Sequence, residues 1–363
     1  MKLKISKEAL SEGLGRVQGL ILARTTVPVL SNVLMVAEKG QLRLTTSDMD
    51  LTSETSVSAE VLKGGSITLP MKRLLAVVRE CVSGELEFSL EDQTMSIASG
   101  GALLKINGIS AEDFPARPKF GESRVYTMKQ EDLRKMLQRT AYSASVDATR
   151  GAINGVLLSF QDQKLTVVAT DGRRLALVDA ELEFPEECQG QIVLPPRAVA
   201  ELNRTLTGEG PLTIRATSNQ VAFETEGYTL MSKLMEGVFP NFRQVIPTQN
   251  ENRVVIPREG FLGALRRVSA LAMDNDISLT LTFARNKIEV YGSVAEVGEA
   301  REALPVRYDG KSVKIAFNPY YLIEPIKQLA SDEIYFEFND DIGPGVLKSD
   351  ESFLYVIMPV RVS

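Results

Sequence analysis

The chain has 363 residues and a formal net charge of -6, with 44% hydrophobic and 24% charged residues, two cysteines, no histidine and no tryptophan. This length exceeds what one hydrophobic core usually serves, so two or three domains are expected. Without histidine the commonest general base and metal ligand are missing, and Cys81 and Cys188 stand far apart in no metal-ligand spacing, which argues against a zinc centre, a disulfide framework and any bound cofactor.

The start, Met1 to Ser6, alternates like a strand and lacks the apolar core of a signal peptide, and no long apolar run follows, so a cytoplasmic protein with no membrane segment is expected. An amphipathic helix then runs from Lys7 to about Arg24, with Leu10, Leu14, Val17 and Ile21 at helical spacing. Extended segments follow at Asn32 to Ala37, Gln41 to Thr46 and Leu51 to Val61, and Ser66 to Pro70 leads into a second helix, Met71 to about Cys81. Three more strands end near Gly108.

The same order returns twice. Val125 to Met128 is a strand, Lys129 to about Tyr142 a helix, Asn154 to Phe160, Lys164 to Ala169 and Leu175 to Val178 are strands, and Gln191 to Pro195 leads into a helix through about Thr205. The third copy has a strand at Arg253 to Ile256, a helix from Arg258 to about Ala272, strands to about Val306, and Ser312 to Phe317 before a last helix. Asn318 is a good N-cap for that helix and Pro319 suits its first turn, whereas Pro325 lies inside it and is expected to kink or shorten it. Each copy spans roughly 120 residues, the size of a small domain. Turn-rich breaks at Ala111 to Glu122 and Pro247 to Asn252 place the domains at 1–121, 122–248 and 249–363. The expected fold class is α+β, three tandem copies of a domain with two helices and about eight strands.

The six predicted helices hold 16 Lys or Arg against 8 Asp or Glu, so they carry about +8 and the remainder about -14. If they share a surface, that surface is basic on an acidic body, as a phosphate-backbone binder requires. No aromatic residue interleaves with the basic positions, which disfavours base stacking and implies contact without sequence preference.

The segment Val167 to Ala176 breaks the pattern of its surroundings. Asp171-Gly172 is a strong hairpin dipeptide between residues that favour extended backbone, and it presents Arg173 and Arg174 on a tight turn. Catalytic motifs are absent from this pattern. Gly310-Lys311-Ser312 lacks the upstream glycine of a phosphate loop, Gly13, Gly15 and Gly19 lie within a helical pattern, and Glu186-Glu187 and Asp340-Asp341 sit in polar loop sequence as solvated turns. An enzyme acting through Asp171, Arg173 and Arg174 on phosphorylated substrates has no identifiable base or nucleophile.

Several stretches together resemble one known family: Ala169-Thr170-Asp171-Gly172-Arg173-Arg174-Leu175-Ala176, Lys233 to Phe242, Tyr355 to Arg361, Arg150 with Ile153 to Val156, and Arg24 with Pro28, Leu30, Ser31 and Asn32. Over essentially its whole length the chain resembles the bacterial DNA polymerase III beta subunit, the sliding clamp. The resemblance implies a non-catalytic processivity factor, a head-to-tail homodimer closed into a ring of six similar domains, with helices lining the hole and double-stranded DNA passing through it. Implied partners are the DNA polymerase III alpha subunit, the clamp-loader subunits, and other polymerases and repair proteins, which bind through short peptides with Gln, Leu and Phe anchors. A peptide-binding adaptor that never encircles DNA is the alternative.

Carried over by position, the implied peptide cleft is lined by Ile153, Thr170, Gly172, Arg173, Arg174 and Leu175, by Pro240 and Val245, and by Val356, Met358, Pro359 and Val360, with Arg361 at the rim. The implied DNA-facing residues are Arg24, Lys72, Arg73, Arg139, Arg150, Arg197, Arg204 and Arg266. At the implied dimer seam the edge strand Ala102 to Asn107, with Leu104 and Ile106, meets an edge strand of the partner's third domain, and Leu75 and Val78 pack against Leu271. Two positions depart from the family pattern: Arg173, where histidine is common, and Pro325.

Overall fold

The computed structural model describes the chain except for residues 22–24, 83, 272–277, 295, 351 and 362–363. Arg24 therefore lies outside the described residues. The described residues contain six α-helices: α1 (Lys7–Val17), α2 (Met71–Glu80), α3 (Gln130–Thr140), α4 (Pro196–Thr205), α5 (Arg258–Ser269) and α6 (Pro319–Lys327). The chain divides into two compact units, one of Met1–Asp132 with Ala200–Leu234 and one of Leu133–Val199 with Met235–Ser363.

In the first unit, Ser6 caps α1 by accepting the Ala9 N–H at 3.1 Å, and the helix buries Leu10, Leu14 and Val17 as its periodicity predicts. It ends at Val17 rather than near Arg24, passing into a 3-10 turn at Gln18–Leu20. Glycines inside it weaken the helix by up to about 1 kcal/mol each, so apolar spacing outlasts helical backbone here. Gly13 is placed for close packing, since a Cβ there would stand 2.9 Å from Val57 Cγ1. The expected strand Leu51 to Val61 is two strands, Leu51–Ser58 and Glu60–Lys63, because the chain changes sheets at Ala59. The five-stranded sheet runs Glu60–Lys63, Lys2–Ser6, Glu85–Glu91, Thr94–Ser99, Ala102–Asn107. The eight-stranded sheet runs Arg124–Lys129, Pro211–Ala216, Gln220–Thr225, Tyr228–Lys233, Leu51–Ser58, Gln41–Ser47, Asn32–Glu38, Gly65–Pro70.

The second unit repeats this plan. Its eight-stranded sheet runs Gly190–Leu194, Val156–Gln161, Lys164–Thr170, Arg174–Glu181, Phe353–Ile357, Gly345–Lys348, Glu333–Phe338, Asn252–Pro257. Its four-stranded sheet runs Gly298–Pro305, Lys287–Val294, Leu279–Ala284, Val313–Phe317. Residues 154 and 155, expected in a strand, instead end a 3-10 segment, Ala148–Asn154, and its cap. Asn318 caps α6 as predicted, accepting the Tyr320 N–H at 2.9 Å.

Each eight-stranded sheet joins strands of two sequence copies. Tyr228–Lys233, the last strand of the second copy, pairs with Leu51–Ser58 of the first, and Phe353–Ile357, the last strand of the third, pairs with Arg174–Glu181 of the second. Among the described residues, the equivalent last strand of the first copy, Ala102–Asn107, pairs only with Thr94–Ser99. Among the same residues, the third copy's counterpart to the receiving strands, Gly298–Pro305, pairs only with Lys287–Val294. One edge of each kind is left open, and open edges favour strand addition.

Candidate functional site

Lys164–Thr170 and Arg174–Glu181 form the hairpin that Asp171-Gly172 predicts, with Thr170 opposite Leu175. Side chains close its turn: Asp171 Oδ1 accepts the N–H groups of Arg173 (2.9 Å) and Arg174 (3.0 Å), while the Thr170 hydroxyl donates to the Arg174 carbonyl at 2.6 Å and accepts the Gly172 N–H at 3.1 Å. Gly172 has φ of 85°, a conformation that side chains rarely adopt.

The two arginines of this turn play different parts. Arg173 is exposed, and its carbonyl accepts the Met358 N–H at 2.9 Å, tying the turn to the C-terminal segment. Arg174 is 13% exposed; its Nε donates to Asp171 Oδ2 at 3.0 Å, its Nη2 donates to the Tyr142 carbonyl at 2.6 Å, and its guanidinium lies 4.2 Å from the centre of the Tyr321 ring. These contacts make Arg174 a strut of the hairpin turn. The strut reaches α6 through Tyr355. Pro325 has no N–H for the Tyr321 carbonyl four residues earlier, and the Tyr355 hydroxyl donates to that carbonyl at 2.8 Å instead. Burial holds the Tyr355 phenol far above its usual pKa, so it remains a donor. The helix closes two residues past Pro325, shortened as expected.

Ile153, Leu175 and Val356 meet in one apolar cluster with Ala152, Leu177, Phe239 and Phe242. Thr170 is buried beside them in the turn, and Pro240 and Val245 stand exposed on the segment that buries Phe239 and Phe242. Met358, Pro359, Val360 and Arg361 line a cavity of about 550 Å³ whose other walls are Thr280, Lys314, Ala316, Asp341 and Ile342. The Val360 N–H donates to the Ala316 carbonyl at 2.8 Å, which fixes this segment to the four-stranded sheet. The far wall was not legible in the sequence, where Asp340-Asp341 reads as a solvated turn; its one signal is Ile342, an apolar residue in a polar loop that is 72% exposed. Arg150 is exposed, and its Nη1 donates to the Asp171 carbonyl at 2.6 Å, which brings it to the hairpin turn. Exposed Arg173, Lys314 and Arg361 leave the mouth basic, with Asp341 as a local counter-charge. A hollow with apolar walls at Ala316, Ile342, Met358, Pro359 and Val360 and with Lys314, Asp341 and Arg361 beside them suits an extended peptide carrying apolar anchors.

Comparison with known proteins places this geometry. Family models for the N-terminal, central and C-terminal domains of the DNA polymerase III beta subunit match residues 1–118, 127–241 and 243–361. The chain belongs to the bacterial DNA polymerase III beta subunit family, the sliding clamps. It is 30% identical to the beta sliding clamp of Chlamydia pneumoniae, covering 100% of this chain and 99% of that protein, and 31% identical to that of Caulobacter vibrioides, covering 100% of both. Among solved structures it is similar to the clamp of Bartonella birtlesii bound to griselimycin, with 32% identity, a TM-score of 0.95 and 100% of both chains covered. The clamp of Pseudomonas aeruginosa bound to griselimycin gives 28% identity and a TM-score of 0.96, again over 100% of both chains. The sliding-clamp family is non-catalytic, and the fold is three tandem clamp domains.

The remaining clamp residues divide by burial. Lys72 and Arg73 on α2 and Arg266 on α5 are exposed and make no ion pair among the described residues, and Arg197 on α4 is exposed; Arg139, in the last turn of α3, is half-buried. Arg204 is corrected. It pairs with buried Glu201 at 2.5 Å and donates to the carbonyls of Gly15 (2.8 Å) and Arg16, so it ties α4 to the end of α1 rather than presenting a free cation. Val78 and Ile106 are corrected too: at 1% and 7% exposure they belong to the core of the first unit, beneath the seam face rather than on it. Leu75, Leu104 and Leu271 are half-buried, and Leu104 lines an apolar hollow of about 400 Å³ with Ala102 and with Ala76, Val77 and Val82, three residues the sequence did not single out.

Proposed function

We propose that two copies of this chain join head-to-tail into a closed ring around double-stranded DNA and tether DNA polymerase III and other factors to it through peptides held in the cleft between the hairpin turn and residues 358–361. The observation that carries this is the pair of open edges. Two joints of one kind are made inside the chain, and a second copy supplies the matching edge for each strand that remains, Ala102–Asn107 and Gly298–Pro305. The proposal takes the three clamp domains as 1–121, 122–248 and 249–363 and the protein as cytoplasmic. No helix among the described residues is long and apolar enough to cross a membrane. The alternative of an adaptor that never encircles DNA leaves both edges without a role.

In this reading Lys72, Arg73 and Arg266 meet phosphates without reading bases. Replacing all three with alanine is expected to weaken duplex binding on every sequence equally and to reduce the slope of log K against log salt by about one for each phosphate that is no longer neutralised. Titrations over a salt series check this; an unchanged slope would place these residues away from DNA.

A further inference from the structure

The two joints inside the chain also predict the register of the joint between chains, an inference that rests on the head-to-tail reading above. Equivalent positions follow from the hairpins. Gln41, Lys164 and Lys287 open equivalent strands opposite Glu38, Gln161 and Ala284, so Ser47, Thr170 and Ser293 are equivalent, as are the residues paired with them, Thr52, Leu175 and Glu299. On the other edge, the turn pairs Thr225 with Tyr228 and Ser99 with Ala102 make Met231 and Lys105 equivalent. Lys129 and Pro257, which precede α3 and α5, pair with Pro211 and Glu333, and the ladders carry this through Glu224 and Lys348 to make Val356 the equivalent of Met231. In the two joints Met231 lies opposite Thr52 and Val356 opposite Leu175, the same register in both.

We infer that Lys105 of one protomer lies directly opposite Glu299 of the partner subunit, with Leu104 opposite Ala300 of the partner subunit. The faces agree. Lys105 and Glu299 are exposed on their strands, while Leu104 and Ala300 are half-buried, and directly opposed residues in an antiparallel pair share a face. A slip of one residue breaks that agreement, and a slip of two in one direction sets Lys105 against Arg301. Among registers that keep the faces matched, only the transferred one gives Lys105 a carboxylate, and Lys105 has no ion pair with any described residue of its own chain. The equivalent positions of the covalently tethered joints are uncharged, so this pair distinguishes the joint between chains, selects its register and makes it sensitive to salt.

Charge exchange tests the assignment. Both residues are exposed, so K105E and E299K are expected to fold like the parent, with melting temperature as the check. Sedimentation of each variant alone is expected to show a dimer dissociation constant raised about tenfold, since each ring would hold two joints with like charges opposed. An equimolar mixture of K105E and E299K is expected to return to the affinity of the parent, because both joints of the mixed ring then unite residues of opposite charge or restore the parent pair. Single variants as tight as the parent, or a mixture no tighter than its components, would overturn the register while leaving the ring. A parent chain that stays monomeric at micromolar concentration would instead overturn the head-to-tail reading.

Discussion

Replacing Arg174 with alanine is expected to destabilise the unit that contains it by about 3 kcal/mol, because breaking a largely buried, hydrogen-bonded ion pair strands its partner. Asp171, 15% exposed, would lose its ion-pair partner, the Tyr142 carbonyl would lose its donor, and the Tyr321 ring would lose the guanidinium stacked on it. The hairpin turn would also loosen from α6, so cleft affinity should fall together with stability. Replacing Arg173 with alanine is the matched control, since its exposed side chain should change stability by less than about 0.5 kcal/mol. Urea unfolding of the two variants checks the contrast. Equal stabilities would show that the buried strut holds nothing.

Ending the chain at Ile357 is expected to weaken binding of a peptide with Gln, Leu and Phe anchors by at least about 100-fold, the loss typical of removing a central anchor pocket. Residues 358–361 form one wall of the cavity, and they are placed by the bonds from Met358 to Arg173 and from Val360 to Ala316. Neither open edge strand includes these residues, so dimerisation should be unchanged. Fluorescence anisotropy with a labelled peptide, alongside sedimentation, reads both quantities. Retained peptide affinity would move the binding site elsewhere.

The fold was legible wherever short-range signals decide structure. Apolar spacing gave α1 its buried face of Leu10, Leu14 and Val17, Asp171-Gly172 gave the hairpin, and Asn318 gave the start of α6. Side-chain fates were not legible where a partner far along the chain decides them. Arg204 counts as one more basic residue on a helix until Gly15, 189 residues away, receives its hydrogen bond. Arg174 and Arg173 are indistinguishable as sequence, yet a stacked Tyr321 and an opposed Asp171 make one a strut and leave the other at the cleft mouth. The change of sheet at Ala59 and the cavity wall at Asp341 and Ile342 likewise arise from packing between distant segments.

Topological retention tests the central claim most directly. The protein is placed on nicked circular DNA by a clamp loader, washed at high salt, and the DNA is then cut once. A closed ring should stay on the circle and be lost from the linear product by running off its ends. Protein that remains bound after linearisation, or that leaves the intact circle at the same rate, would contradict encirclement.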